Sequence, residues 1–408
     1  VKVNLDLSEV FMNKAPIQSW LGKRVEIQFS SEIKTSGKQK VEAIRLLDNL
    51  MGNGVTGSQP WVTIMCKFND VADEPNDEAY FEGMYANLPG GLDHYWREVS
   101  YDNIDVIGSN AVAWVTLPSN RSVYVPEVNG EEDADLDLLF DDCTAAADNL
   151  VDFSDAGNGR PYVGINMMFN DGLDCCAWGG GKGALLDGVN KVWRTTWNPP
   201  WSYANEGVIA HEMGHGFGLP HANNSDEDEN PYDNSWDVMS SATGYAVNDA
   251  IYGRLGKHIN MSFKRQLGWV DDNEGYIAEA ISDETMVIDR TGISSTNNKR
   301  FAVIPLSDGS HYTVEVRKKV GNYESNLYGE AVIIHHVVNS RSEPPWVVST
   351  ANPGSENARR DGEMWTVGET FEDSIDGFKV EVMATTANGF RVRIYSIDDL
   401  IFEDGFDS

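Results

Sequence analysis

The first part of the chain alternates apolar and polar positions before it changes to a helical spacing. VKVNLDL (1–7) and KRVEIQF (23–29) have the two-residue period of strands. QKVEAIRLLDNLMGNG (39–54) has an amphipathic pattern that ends in glycines, which predicts a helix. We interpret residues 1–59 as a small N-terminal module.

Between residues 60 and 272, strand patterns alternate with longer helical ones. Strands are predicted at WVTIMCKF (61–68), YDNIDVIG (101–108), NAVAWVTLP (110–118), PYVGINMMF (161–169) and VWRTTW (192–197). Helices are predicted at EAYFEGMYANL (78–88), at DLDLLFDDCTAAADNLVDF (135–153) and from about Tyr203 to Gly216, with GGGKG (179–183) as a glycine-rich turn. This alternation indicates a sheet covered by helices.

Beyond residue 272 the chain consists of short alternating runs with turn signals between them. The runs are TMVIDR (285–290), RFAVIPL (300–306), HYTVEVRK (311–318), AVIIHHVV (331–338), FKVEVMA (378–384) and FRVRIYS (390–396). They predict an all-β sandwich over residues 273–398, followed by an acidic tail at 399–408. The predicted fold class is α+β, with a mixed sheet-and-helix domain over 60–272 and the sandwich after it.

The charge balance narrows the classes of partner. The 408 residues contain 31 Lys and Arg against 64 Asp and Glu, a formal net charge of −33. Such a surface repels nucleic acid and anionic lipid. No run reaches the roughly 18 apolar residues of a membrane span. We therefore expect neither nucleic acid nor a membrane span, while the oligomeric state is left open.

Four cysteines lie in the first half of the chain, at positions 66, 143, 175 and 176. An even count is compatible with two disulfides, and a ring closed between neighbours would be strained. We therefore expect Cys175 and Cys176 each to pair with Cys66 or Cys143; four reduced thiols are the alternative. The sequence opens at Val1 with no initiator Met and no apolar leader, so any secretion signal has been removed or lies outside it, and localisation must come from other features. Two disulfides would favour a secreted, extracellular protein.

One short motif carries the chemistry, HEMGHGFGLPH at 211–221. His211 and His215 are four residues apart, so a helix presents both on one face. Gly218 can take a positive φ and end the helix, which lets His221 return as a third ligand. Three neutral nitrogens with one open position are the pattern of catalytic zinc, and Glu212 is placed to reach a water there.

The motif resembles the signature HExxHxxGxxH of the metzincin zinc endopeptidases at every specified position. The segments TWNPPWSYANEGVIAHEMGHGFGLPH, YDNSWDVMS, YWREVSYDNIDVIGS and KRQLGWV are similar to the secreted bacterial peptidases of the immune-inhibitor-A type and their relatives of the gametolysin type. The resemblance covers roughly residues 60 to 395. It implies a sheet-and-helix upper half, a cleft along an edge strand, and a methionine turn beneath the metal, for which Met239 is the candidate.

The resemblance also implies a mechanism. Zinc would polarise the scissile carbonyl, and Glu212 would act as general base and then as general acid. VWRTTW is our candidate for the edge strand that binds an extended peptide. The tyrosine that some metzincins place two residues after the turn methionine is here Ser241, with Tyr245 as the nearest alternative. His258 is interpreted as a packing or capping residue, with a role in oxyanion binding as the alternative. The neighbours His335 and His336 are interpreted as structural residues on opposite faces of a strand.

An acidic segment lies between His221 and Met239, with six carboxylates from Asp226 to Asp237. Carboxylate oxygens are ligands that calcium prefers, so Asp233 and Asp237 are candidate calcium ligands. A solvated acidic loop is the alternative. Asp171 and Asp174 form a second, poorer candidate pair.

The function predicted from these residues is a secreted zinc endopeptidase that hydrolyses peptide bonds of proteins. Its expected cofactors are Zn²⁺ and, at the acidic segment, Ca²⁺, and its expected partner is a protein or peptide substrate. The alternative is a non-catalytic binding protein, an adhesin or decoy that keeps zinc for stability. Because decoys commonly lose the general base, the retained Glu212 favours the enzyme.

Overall fold

The protein is an α+β molecule in which strands outnumber helices. The structure, a computed structural model, describes residues 54–226, 230–278, 282–294, 296–350 and 356–397, together with the backbone of three strands before residue 54. Among the described helices, none combines the length and the apolar character that crossing a lipid bilayer requires.

The N-terminal strands form a sheet of their own, β1 (Leu5–Asp6), β2 (Val25–Ile33) and β3 (Gln39–Leu46), in the order β1-β3-β2. The helix predicted over residues 39–54 is wrong where the structure describes it, because 39–46 is strand β3. β3 pairs antiparallel with β2, with Val41 opposite Phe29 and Ile44 opposite Ile27. A short apolar run is compatible with either period, and pairing with a neighbouring strand decides it.

The next part of the chain contains most of the helices. In chain order its elements are β4 (Gly57–Ser58), β5 (Trp61–Lys67), α1 (Glu78–Gly83), α2 (Leu92–Ser100), β6 (Ile104–Asp105), β7 (Asn110–Thr116), α3 (Arg121–Tyr124), β8 (Glu127–Val128), β9 (Glu131–Glu132), α4 (Leu136–Ala147), β10 (Gly164–Phe169), β11 (Trp178–Leu186), β12 (Val189–Asn198), α5 (Pro200–Tyr203), α6 (Glu206–Gly216), β13 (Asn223–Asn224), β14 (Asn248–Asp249), β15 (Gly253–Arg254) and α7 (Met261–Gln266).

A five-stranded mixed sheet in the order β11-β12-β10-β5-β7 forms the centre of this part. β12, β10, β5 and β7 run parallel, and β11 is antiparallel to β12. Side chains of β5 alternate between the two faces: Trp61 and Met65 pack with helices α2 and α6, whereas Val62 and Ile64 pack with α4. The sheet therefore lies between helices on both faces.

Two predictions about the edge of this sheet are wrong. GGGKG is not a turn but part of β11, and VWRTTW is not an edge strand, because β12 is paired on both sides. The edge is β11 itself. A Cβ at Gly179 would lie 2.3 Å from the backbone oxygen of Glu212, so glycine lets β11 approach helix α6 closely.

The predicted disulfide pairing is also wrong. Cys66 on β5 is joined to Cys143 on α4, and Cys175 is joined to its neighbour Cys176. Cys66 points to the same face as Val62 and Ile64, where α4 packs, and the two Cα atoms are 5.9 Å apart, within the span of a disulfide. Once these two residues are joined, Cys175 and Cys176 have only each other.

Most of the regular elements in the last part of the chain are strands, as its alternation predicts. After a 3-10 turn at Asp272–Glu274, its elements are β16 (Tyr276–Ile277), β17 (Glu284–Asp289), β18 (Ala302–Pro305), β19 (His311–Arg317), α8 (Gly321–Glu324), β20 (Ala331–Val337), β21 (Pro345–Val347), α9 (Glu356–Glu363), β22 (Thr370–Asp373), β23 (Phe378–Thr385) and β24 (Gly389–Ser396).

Two sheets share the core of this part. One has six strands, β13-β21-β20-β19-β18-β16, and the other has four, β17-β24-β23-β22. Val314 and Ile334 of the first sheet pack in one apolar cluster with Val380 and Val392 of the second. The six-stranded sheet takes its outermost strand, β13, from the segment just after His221.

Candidate metal centre and active-site cleft

Helix α6 presents two histidines on one face. Its N-cap is Asn205, and the helix ends at Gly216 with Phe217 as the C-cap. Gly218 then takes a φ of +89°, in the left-handed region that glycine adopts without penalty. The chain turns back at this point, which brings His221 to His211 and His215.

The three imidazoles converge on one point. Nε2 of His215 lies 3.1 Å from Nε2 of His211 and 3.2 Å from Nε2 of His221. Two ligands about 2.0–2.1 Å from a tetrahedral zinc ion lie about 3.3 Å apart, so these separations suit such an ion. These nitrogens form one of the two groups of His, Cys and acidic residues that lie close enough to hold a metal in the described part of the chain.

Backbone carbonyls fix the tautomers of two of these rings. Nδ1 of His211 donates to the carbonyl of Val238 over 2.7 Å, and Nδ1 of His215 donates to that of Leu219 over 2.8 Å. Each ring therefore directs the lone pair of its Nε2 toward the common point. Burial lowers the pKa of His211 to about 3 and that of His215 to about 4, so both rings are neutral at pH 7. Neutral rings with facing lone pairs are held together well only by a cation between them.

Glu212 is the acidic residue beside this group. It is 6% exposed, it lines the adjoining cavity, and its carboxylate makes no hydrogen bond to any described residue. Burial raises the pKa of Glu212 to about 8. A carboxylate in this state can accept and return a proton near neutral pH.

Met239 lies directly beneath the histidine helix. It is fully buried, and a Cβ at Gly214 would lie 2.3 Å from its sulfur. Its carbonyl accepts a hydrogen bond from the backbone N–H of Ala222, next to His221. Met239 therefore supports the floor of the site from α6 to the third histidine.

Asp237, one of the candidate calcium ligands, is occupied by hydrogen bonds within the protein. One carboxylate oxygen accepts from the backbone N–H of Met239 over 2.7 Å, and the other accepts from the backbone and side chain of Asn260 over 2.8 and 2.6 Å. This arrangement gives Asp237 a role in shaping the turn. Asp233 is 7% exposed, and the two do not form a metal-ligating group within the described ranges. Calcium binding in the acidic segment, whose residues 227–229 lie outside the described residues, stays a prediction.

A cavity of about 660 Å³ opens beside the histidines. His211 and Glu212 lie on one side of it, and Ser240–Thr243, the segment after Met239, forms another wall. Lys257 is fully buried, and its Nζ donates to the carbonyl of Ser241, which fixes that wall. The cavity is large enough for a side chain and part of the backbone of a peptide.

Tyr232 is a residue of the site that the sequence analysis did not identify. Its ring centroid lies 5.0 Å from that of His221 and 6.2 Å from that of His211, and it lines the cavity. Burial, with a smaller effect of the charge on Glu212, raises the pKa of Tyr232, so the phenol stays protonated and can donate a hydrogen bond. The only feature of the sequence that points to Tyr232 is its position between the third histidine and Met239.

Tyr245, the nearest alternative to the tyrosine of the family pattern, and His258 do not line this cavity. Tyr245 packs on Tyr328, with the ring centroids 5.2 Å apart. His258 is fully buried and is hydrogen-bonded to Lys264, as its interpretation as a packing residue predicts.

No protein-family model and no curated protein matches this chain.

Proposed function

We propose that this protein is a zinc-dependent endopeptidase of the metzincin type. The observation that carries the proposal is the convergence of three imidazole nitrogens at an open cavity, beside a buried carboxylate that has no hydrogen-bond partner among the described residues. A structural zinc site is commonly closed by a fourth protein ligand, whereas a catalytic one leaves a position for water or substrate. The buried methionine under the helix also fits the family pattern.

The residues of the site divide the chemistry between them. His211, His215 and His221 would hold the ion, which when bound polarises a carbonyl and makes water more acidic. Glu212 accepts a proton from the attacking water and returns it to the departing amine. Tyr232 donates a hydrogen bond to the oxygen that becomes negative in the transition state.

The edge strand β11 supplies a means of holding the substrate. It is paired on one side only, and its Gly179 touches the backbone of helix α6 at Glu212. An extended peptide that pairs with the open edge of β11 would run past Glu212 as an added strand. This binding mode depends on the peptide backbone, so it suits a protein substrate.

We also infer that the protein acts outside the cell. The two disulfides in the described part of the chain support this, because disulfides persist in oxidising compartments.

The test compares the purified protein with its Glu212→Gln variant on casein, with and without a zinc chelator. We expect cleavage by the unmodified protein, its loss with the chelator, and its recovery when zinc is added back. Glu212→Gln should retain zinc and lose activity by at least about 10²–10⁴-fold, the usual contribution of general base catalysis. Full zinc content without cleavage by the unmodified protein would instead support a zinc-stabilised binding protein.

A further inference from the structure

The disulfide between neighbouring residues lies at the candidate active site. Cys175 and Cys176 belong to the loop between β10 and β11, and both line the cavity that also contains His211 and Glu212. Cys175 is exposed, so the ring that they form is accessible from the cleft. The mechanism proposed above makes no use of this disulfide.

The loop is held in place from both sides of the ring. Asp174 accepts hydrogen bonds from the backbone N–H of Cys176 over 3.1 Å and from the indole of Trp178 over 2.9 Å. Arg121 donates to the carbonyls of Gly172 and Leu173, each over 2.7 Å. The disulfide is therefore presented to the cavity as a fixed surface.

The chemistry of this surface favours apolar groups. A disulfide has no hydrogen-bond donor, and divalent sulfur is polarisable and packs well against aromatic and aliphatic groups. Ala177, which directly follows the ring in the chain, and Val208 are both buried and line the same cavity. A polar side chain placed here would lose water without gaining a strong hydrogen bond from these groups.

We propose that the Cys175–Cys176 ring is a substrate-contacting wall of the cleft, and that it selects peptides with a large apolar side chain next to the scissile bond. This inference rests on the proposed endopeptidase function. Contact between the ring and the apolar side chain stabilises the bound peptide. The ring therefore changes the affinity for the peptide more than the rate of the chemical step.

The first arm of the test uses the double variant Cys175→Ser/Cys176→Ser, which opens the ring and adds two hydroxyl donors. Two peptides that differ only in having Phe or Ser beside the cleaved bond are compared. We expect the ratio of kcat/KM for the Phe peptide to that for the Ser peptide to fall about tenfold, mainly through KM, since even one methylene group in an apolar pocket is worth about 10–200-fold. An unchanged ratio would overturn the proposal, even if kcat/KM falls equally for both peptides.

The second arm opens the same ring chemically in the unmodified protein. A water-soluble phosphine takes up an oxygen atom from water and is oxidised to the phosphine oxide, while the disulfide gains two electrons and two protons to give two thiols. Because Cys66 and Cys143 are fully buried, we expect two titratable thiols per folded chain, and the other two only after unfolding. The reduced protein should show the same fall in the ratio, and the double serine variant should not respond to the phosphine. If reduction gives no titratable thiols in the folded protein, or leaves the ratio of kcat/KM for the two peptides unchanged, the ring is not an accessible wall that contacts the substrate.

A binding measurement separates this inference from the proposed function. Affinities of the Phe and Ser peptides for Glu212→Gln are compared with and without the two serine substitutions, which requires no turnover. A preference for the Phe peptide that disappears with the serines supports the wall even if no preparation cleaves casein. Equal affinities of Glu212→Gln for the two peptides would overturn the proposal that the ring selects apolar side chains. The hydrolytic function would still be tested by the casein assay.

Discussion

Tyr232 shows how single residues complete the candidate site beyond its signature motif. The spacing within HEMGHGFGLPH is enough to bring the three histidines and Glu212 together, because the helical period and one glycine determine where their side chains point. The position of Tyr232 depends on the path of the chain between His221 and Met239, and no local pattern specifies that path. The spacing of the motif therefore predicted that the three histidines and Glu212 lie together, whereas Tyr245, the predicted alternative for the tyrosine, packs elsewhere.

The Tyr232→Phe variant should lower kcat by about 10²-fold, the lower end of the cost of losing a donor to a developing oxyanion. KM and zinc content should change little, because the ring remains and only the hydroxyl is removed. The measurement is steady-state kinetics on one peptide with metal analysis of the same sample. A rise in KM at unchanged kcat would assign Tyr232 to substrate binding instead.

At the scale of elements, close contacts that only glycine allows determine how strands and helices meet at the site. Gly214 makes room for Met239 under α6, and Gly179 makes room for β11 beside it. The run GGGKG predicts a turn, because glycine runs between periodic segments usually indicate turns. A glycine that permits close approach within a strand gives the same signal, and only the neighbouring element distinguishes the two cases.

The Gly214→Ala variant should reduce the free energy of unfolding by about 1–3 kcal/mol, the usual cost of overpacking, although alanine favours a helix. Zinc should also be lost more readily, because Met239 and the helix must separate. Gly183→Ala in β11 is the control, since a Cβ there meets no atom within 4 Å. Equal denaturation midpoints for the two variants would show that the contact with Met239 is not tight.

At the scale of the whole molecule, buried charges connect the C-terminal sheets to the floor of the site. The carboxylate of Glu315 on β19 accepts a hydrogen bond from the backbone N–H of Met261. Asn260, which precedes Met261, donates to Asp237, and Asp237 in turn holds the backbone N–H of Met239. Arg317 is fully buried between Glu315 and Glu324. The alternation of apolar residues predicts the strands. It does not predict these polar contacts, because they join segments that are distant in the sequence.

The Arg317→Met variant should be destabilised by about 3–5 kcal/mol, because two buried carboxylates lose their partner. Arg393→Met provides the control, since that arginine pairs with Asp283 at the surface, where such pairs contribute about 0–1 kcal/mol. Chemical denaturation of both variants with zinc bound is the measurement. Similar losses would mean that the buried network does not connect the two parts.

His335 should make stability depend on pH. It is fully buried, neither ring nitrogen has a hydrogen-bond partner among the described residues, and burial lowers its pKa to about 4. The unfolded chain binds this proton near pH 6.5, so stability is full above that pH and falls as the pH drops toward 4, by at most about 1.4 kcal/mol per pH unit.

The measurement is the slope of the unfolding free energy against pH between 6.5 and 4. His335→Gln should have a shallower slope than the unmodified protein, whereas His336→Gln, at the half-buried next position, should change it less. Parallel slopes for all three proteins would rule out a buried neutral His335.

One residue, Ala222, separates His221 from strand β13. β13 pairs with β21, which lies more than a hundred residues further along the chain. A ribosome releases the chain from its N-terminus, so the complete HEMGHGFGLPH motif emerges long before Trp346 and Val347, the residues that pair with β13. We expect the nascent chain to be unable to cleave proteins around it until most of its length has been synthesised. The pairing would then delay activity during biosynthesis.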